Sequence, residues 1–222
     1  CVYNAYYLID LFRFNDERES NLESMLSDAT GYENITEALK GGKGAILLTA
    51  HLGNWELGGI VLSQLGHPVN VVYYPDGSDQ IEENRTRKRL MRGVKEIRLD
   101  PDRISPLAMM RALQNGELVA MQGDKLYHDS GVSVPFFDAP AYFPKGPVLL
   151  SMVTGAPILP SFIVMDKNAR YNIIVDEALY PVRTGDREKD VEENLKKVVK
   201  VFEKYIGIYY EQWYSFTKVW DN

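Results

Sequence analysis

The sequence predicts an α/β fold in which a largely parallel central sheet carries helices on both faces. Two observations predict it. From Lys43 onward, short β-branched or apolar runs alternate with helical patterns, the order that builds a parallel sheet covered on both sides. The punctuation agrees: Ser105-Pro106 reads as an N-cap with proline at the first helical position, and Asn115-Gly116 as the matching stop.

In chain order, strands are expected at 45–50, 69–74, 94–99 and 117–122, separated by helices at 54–65, 79–92 and 105–115. The second half is less regular. It predicts a short strand at 131–137, a helix at 145–154, strands at 157–165 and 171–179 joined as a hairpin across Asp166 to Arg170, and a long amphipathic helix over 186–210. Residues 2–14 are apolar on most faces, which fits a helix lying on another surface or an ordinary core helix. One domain is expected, with a helical region at 1–40, an α/β core at 41–180 and a C-terminal helical region at 186–222. The chain opens on Cys1 inside a tyrosine-rich apolar pattern, so its N-terminus reads as a truncation or a cleavage point. The uncharged window 146–165 has the length of a bilayer span, but Pro147, Pro157 and Pro160 split it into helix, turn and strand.

A net charge of -6 argues against a nucleic-acid partner. The single cysteine excludes an intrachain disulfide framework and a Cys-rich zinc site. His67 and His128 form no metal-ligand spacing with His51, so no metal is expected. The chain contains no G-x-S-x-G elbow, no H-E-x-x-H and no complete phosphate loop, and Gly41 to Gly44 precede a strand, which suits a turn.

His51 ends the first core strand, where open α/β sheets gather their ligands. Glu56 falls in the first turn of the next helix, from which a carboxylate can reach back to the imidazole and make His51 a general base for a hydroxyl. The plainer reading is that Asn54 caps that helix, Glu56 complements its dipole and His51 fills a hydrogen-bonded corner. Asp124 follows the 117–122 strand and so sits at the same kind of sheet edge as His51. Arg85, Arg87, Lys88, Arg89, Arg92, Lys95 and Arg98 concentrate positive charge in an otherwise acidic chain. They form either a phosphate-recognising face or a solvated helix face paired with Glu82, Glu83 and Glu96.

"AHLGNWE" (50–56), "GVSVPFFDAPAYFPKGPVLLSMVTGAPILPSF" (131–162) and "YYEQWYSF" (209–216) resemble the lipid A biosynthesis lauroyl/myristoyl acyltransferase family, within the glycerol-3-phosphate acyltransferase-like superfamily. The resemblance covers nearly the whole chain. It implies transfer of a fatty acyl group from an acyl carrier protein thioester to a hydroxyl of a lipid acceptor such as a lipid A precursor, at the cytoplasmic face of a bacterial inner membrane, with no cofactor. His51 would be the general base and Glu56 its orienting partner in an H-x4-[DE] motif. Arg89, with Arg85, Arg87 and Arg92 as competitors, and Asp124 match further functional positions of that family. Backbone N–H groups near Gly53 and Asn54 would serve the tetrahedral oxyanion. The thioester is already activated, so no acyl-enzyme is required.

Leu52, Lys125 and Asp138 stand where that family commonly has Phe, Gln and Gly, which leaves the acceptor open. Residues 2–14 and the basic patch would face the membrane surface. A lysophospholipid or glycerol-phosphate acyltransferase using acyl-CoA would employ the same His/Glu pair. A non-catalytic lipid-binding protein of the same fold would not need that pair, and a thioesterase would direct water to the same base.

Overall fold

The computed structural model describes residues 22–75, 79–99, 106–127, 131–215 and 218–220, together with Tyr3, Tyr6 and Ile9. Most of the apolar stretch 2–14, as well as Ser105 and His128, lies outside the described residues.

The strands are β1 (Leu26–Thr30), β2 (Ala45–Thr49), β3 (Val69–Tyr73), β4 (Lys95–Arg98), β5 (Leu118–Gln122), β6 (Gly131–Phe136), β7 (Ala139–Pro144), β8 (Ile158–Met165) and β9 (Tyr171–Val175). The helices are α1 (Glu33–Leu39), α2 (Trp55–Gln64), α3 (Asp79–Met91), α4 (Leu107–Gln114), α5 (Gly146–Thr154) and α6 (Arg187–Tyr209). Seven strands form one sheet in the order β1-β9-β8-β2-β5-β3-β4, and β6 and β7 form a separate hairpin. All neighbours in the large sheet run parallel except β8 and β9, which form the expected antiparallel hairpin.

Period-2 alternation explains why the sheet is buried on both faces. In β2, Ile46 and Leu48 enter one hydrophobic cluster with Leu113, Val148 and Phe202 of α4, α5 and α6, whereas Ala45 and Leu47 enter a second cluster with Ile35 of α1 and Leu57 of α2. The predicted α/β class, with helices on both faces, is what forms. The window 146–165 divides as expected: α5 stops at Gly155, whose φ of 73° provides a left-handed cap, and β8 follows. No described helix is long and apolar enough to cross a membrane.

Three features depart from the sequence expectation. The region 1–40 is not wholly helical, because Leu26–Thr30 pairs with β9 as an edge strand; only two of its five residues are even partly buried, so it lacks a strong apolar pattern. The strand starting at Tyr171 ends at Val175 instead of 179. The stretch 139–144 is strand β7, paired back onto β6. The turn between β6 and β7 places Phe137 and Asp138 at φ of 48° and 63°, a mirror-image turn that usually takes Gly or Asn. The position where the resembled family commonly has Gly is thus a left-handed one, here occupied by an aspartate.

Candidate active site

The site forms at the C-terminal edge of the sheet, where β2 has β5 on one side and β8 on the other. The chain leaves β2 toward the β3 side and later returns to β8 on the opposite side, which makes this a topological switch point. β2 and β5 pair in register from Ala45↔Leu118 to Thr49↔Gln122. His51 and Asp124 keep the same separation of 73 positions beyond the last pair, so they emerge side by side.

Asp124 holds His51 twice. Its Oδ1 lies 2.7 Å from His51 Nδ1, and its Oδ2 accepts the His51 backbone N–H at 2.9 Å. Oδ2 also accepts the indole N–H of Trp213 at 2.9 Å. A carboxylate that takes N–H donors on both oxygens is an acceptor, so Nδ1 of His51 is the donor in this contact. Nε2 has no hydrogen-bond partner among the described residues. The Asp124 side chain is 3% exposed and that of His51 17%, so the pair is sheltered while the ring keeps an outlet. The Trp55 ring packs edge-on to the imidazole at 5.3 Å.

The carboxylate touching the imidazole is therefore Asp124, which corrects the expectation that Glu56 orients His51. Glu56 accepts from Nε of Arg89 at 3.1 Å and from a terminal nitrogen of the same guanidinium, while Arg89 also donates to Glu96 of β4 at 2.8 Å. Arg89 is 5% exposed and lies 5.0 Å from the centre of the Tyr73 ring. Burial disfavours its charge, but Glu56 and Glu96 outweigh that and push its pKa up. Arg89 thus ties the turn after β2 to α3 and β4, its guanidinium engaged by Glu56 and Glu96.

Two other predicted residues shape the turn. Asn54, 1% exposed, caps α2 by accepting the Leu57 N–H at 3.2 Å and donates to the Tyr171 hydroxyl at 3.2 Å. The N–H groups of Gly53 and Asn54 go to the carbonyls of Gln212 at 3.0 Å and Ile163 at 2.7 Å. They are occupied, which corrects their expected role as oxyanion donors. Gly53 sits at φ 67°, and a Cβ there would lie 1.9 Å from the Ile163 carbonyl oxygen. Replacing Gly53 with alanine combines a left-handed alanine with that clash; the expected loss is at least about 2 kcal/mol, read as a lower urea midpoint.

Arg85 donates to Glu82 at 3.0 Å on α3. Of the pairings expected for a solvated helix face, Arg85 with Glu82 lies on α3, whereas Arg89 with Glu96 is made in the interior. Beside them a surface cavity of about 570 Å³ is lined by residues that include Tyr73, Thr86, Arg87, Leu90, Met91 and Arg98. Leu90 and Met91 are each 62% exposed. Partial burial chiefly, with repulsion from Arg87 and Arg85 added, lowers the pKa of Lys88.

Comparison with known proteins assigns the chain to a family. The family model for bacterial lipid A biosynthesis acyltransferases matches residues 4–222. The chain belongs to that family. Among curated relatives of this lipid A acyltransferase family member, the phosphatidylinositol mannoside acyltransferase of Mycobacterium tuberculosis (strain CDC 1551 / Oshkosh) is 27% identical over 157 residues, covering 70% of this chain and 50% of the relative. The protein of the same name from Mycolicibacterium smegmatis is 26% identical over 157 residues, covering 70% and 51%. The chain spans about half the length of the curated relatives it matches.

Sequence reasoning named Glu96 only as a partner of a solvated basic helix and missed Trp213 as a neighbour of Asp124. Trp213 is 89 positions from Asp124, and no local pattern signals a contact at that distance.

Proposed function

We propose that this protein is a membrane-associated O-acyltransferase that moves a fatty acyl chain from a thioester to a hydroxyl of a lipid acceptor. The observation that carries the proposal is His51, with Nδ1 held by Asp124 and Nε2 without a partner among the described residues. Nε2 removes the proton of the acceptor hydroxyl as its oxygen attacks the thioester carbonyl carbon. The tetrahedral intermediate then collapses, the C–S bond breaks, and the departing thiolate takes the proton from the imidazolium. The products are an ester and a free thiol, and His51 returns to its starting state.

Acyl carrier protein is the proposed donor. A lipid A precursor or a phosphatidylinositol mannoside is the proposed acceptor, the first suggested by the family's description and the second by the relatives' names. The end of α3, where Leu90 and Met91 are exposed beside Arg87, with Arg98 lining the same cavity, has the chemistry of a surface that rests on anionic headgroups. This supports work at the cytoplasmic face of an inner membrane.

The test is mass spectrometry of lipids after incubating the protein with acyl carrier protein thioesters or acyl-CoA on vesicles containing both acceptor classes. A newly acylated lipid and stoichiometric free thiol are expected. Free fatty acid as the sole acyl product, with every donor and acceptor supplied, would replace this reading with a thioesterase.

A further inference from the structure

Residues 212–214 return to the catalytic turn from the far end of the chain and pair with it. Gly53 N–H donates to the Gln212 carbonyl at 3.0 Å, Tyr214 N–H donates to the His51 carbonyl at 2.8 Å, and Leu52 and Trp213 form an antiparallel bridge between them. Gln212, 4% exposed, fastens this segment to the sheet: its side chain accepts the Met165 N–H and donates to the Met165 carbonyl, both at 2.8 Å. The Tyr214 ring meets Trp55 at 5.9 Å, and Trp55 in turn meets His51. Burial raises the Tyr214 hydroxyl to about 12, so it stays neutral.

This segment does more than close the fold, because it delivers one polar group to the reacting pair. The Trp213 indole N–H reaches Asp124 Oδ2 at 2.9 Å, and its ring packs edge-on against Phe136 at 5.9 Å. Asp124 Oδ2 has two donors, the His51 amide and this indole, leaving Oδ1 for the imidazole. A carboxylate this buried has little water to replace a missing donor.

We propose that Trp213 is a positioning residue of the site: its indole N–H fixes the Asp124 carboxylate so that Oδ1 holds the His51 Nδ1–H and Nε2 stays the free base. The inference rests on the reading of His51 as the general base. Among the described residues, Asp124 from the end of β5 is the charged group facing His51, and Tyr214 is the titratable residue bonded to it from the C-terminal segment.

The experiment compares the native protein with Trp213→Phe, which keeps an aromatic ring and removes the N–H, and with Phe136→Leu, which disturbs the same packing and leaves the N–H. Trp213→Phe is expected to lower kcat by roughly ten- to a hundredfold, the scale of one hydrogen bond to a charged group, with KM for the thioester little changed. Without the indole N–H the Asp124 carboxylate is free to turn away from the imidazole and stabilises the imidazolium less, so the acid limb of the kcat/KM profile moves to lower pH. Side-chain 1H–15N spectra of the three histidines, with His51 assigned by its loss in His51→Ala, should show the Nδ1–H tautomer in the native protein and a mixture in Trp213→Phe. Phe136→Leu should lower the thermal midpoint while leaving the tautomer and the acid limb in place. A Trp213→Phe protein with native kcat, acid limb and tautomer overturns the inference, as does a Phe136→Leu protein that reproduces the same shifts. If His51→Ala retains full activity, the general-base reading fails, and the tautomer of His51 in Trp213→Phe still decides whether Trp213 positions the pair.

Discussion

His51→Ala is expected to lower kcat for acyl transfer by about 10²- to 10⁴-fold, the range for removing a positioned general base. KM for the acyl donor should change little, because the imidazole acts on the acceptor hydroxyl and contributes chiefly to the transition state. The fold should survive: Asp124 keeps the backbone N–H of residue 51 and the Trp213 indole. The side chain removed is also partly open to solvent. A steady-state assay beside a thermal melt checks both halves. Unchanged kcat in a protein with a native melting midpoint would remove His51 from the mechanism.

The largest stability effect is expected at Arg89. Arg89→Met leaves Glu56 and Glu96, with side chains 13% and 12% exposed, buried without their shared cation. Breaking a buried pair in this way costs about 3–5 kcal/mol, which urea denaturation would read as a large fall in midpoint at constant slope. Adding Glu56→Gln and Glu96→Gln to the same chain should recover most of that loss, since the uncompensated charges are gone. A fall that persists in the triple variant would assign the loss to packing against Tyr73, over whose ring the guanidinium lies. Arg89→Lys should rescue only partly, because a lysine cannot span two carboxylates with a planar fork.

Arg89 also shows what could be read from the chain and what could not. Its helix was legible, as was the local excess of cations. Its burial was not, because the partners Glu56 and Glu96 come from α2 and β4, and composition does not say which of several arginines turns inward. Glu56 presents the same problem in reverse. Its spacing from His51 suggested a direct contact, but the closer carboxylate is supplied by a neighbouring strand.

The sequence by itself determined the order of strands and helices from 45 to 122, because apolar periodicity and Gly/Pro punctuation are local properties that survive any later packing. It also put His51 at a strand end and Asp124 at another, since both follow directly from where those runs stop. The tertiary structure alone decided that β2 and β5 are neighbours in register, which brings His51 and Asp124 into contact. It likewise decided that Trp213, from the other end of the chain, supplies the second donor to that carboxylate. Contacts of this kind are set by sheet order and by the closure of the C-terminal segment, which depend on how all the buried faces pack together and leave no pattern in any short stretch of residues.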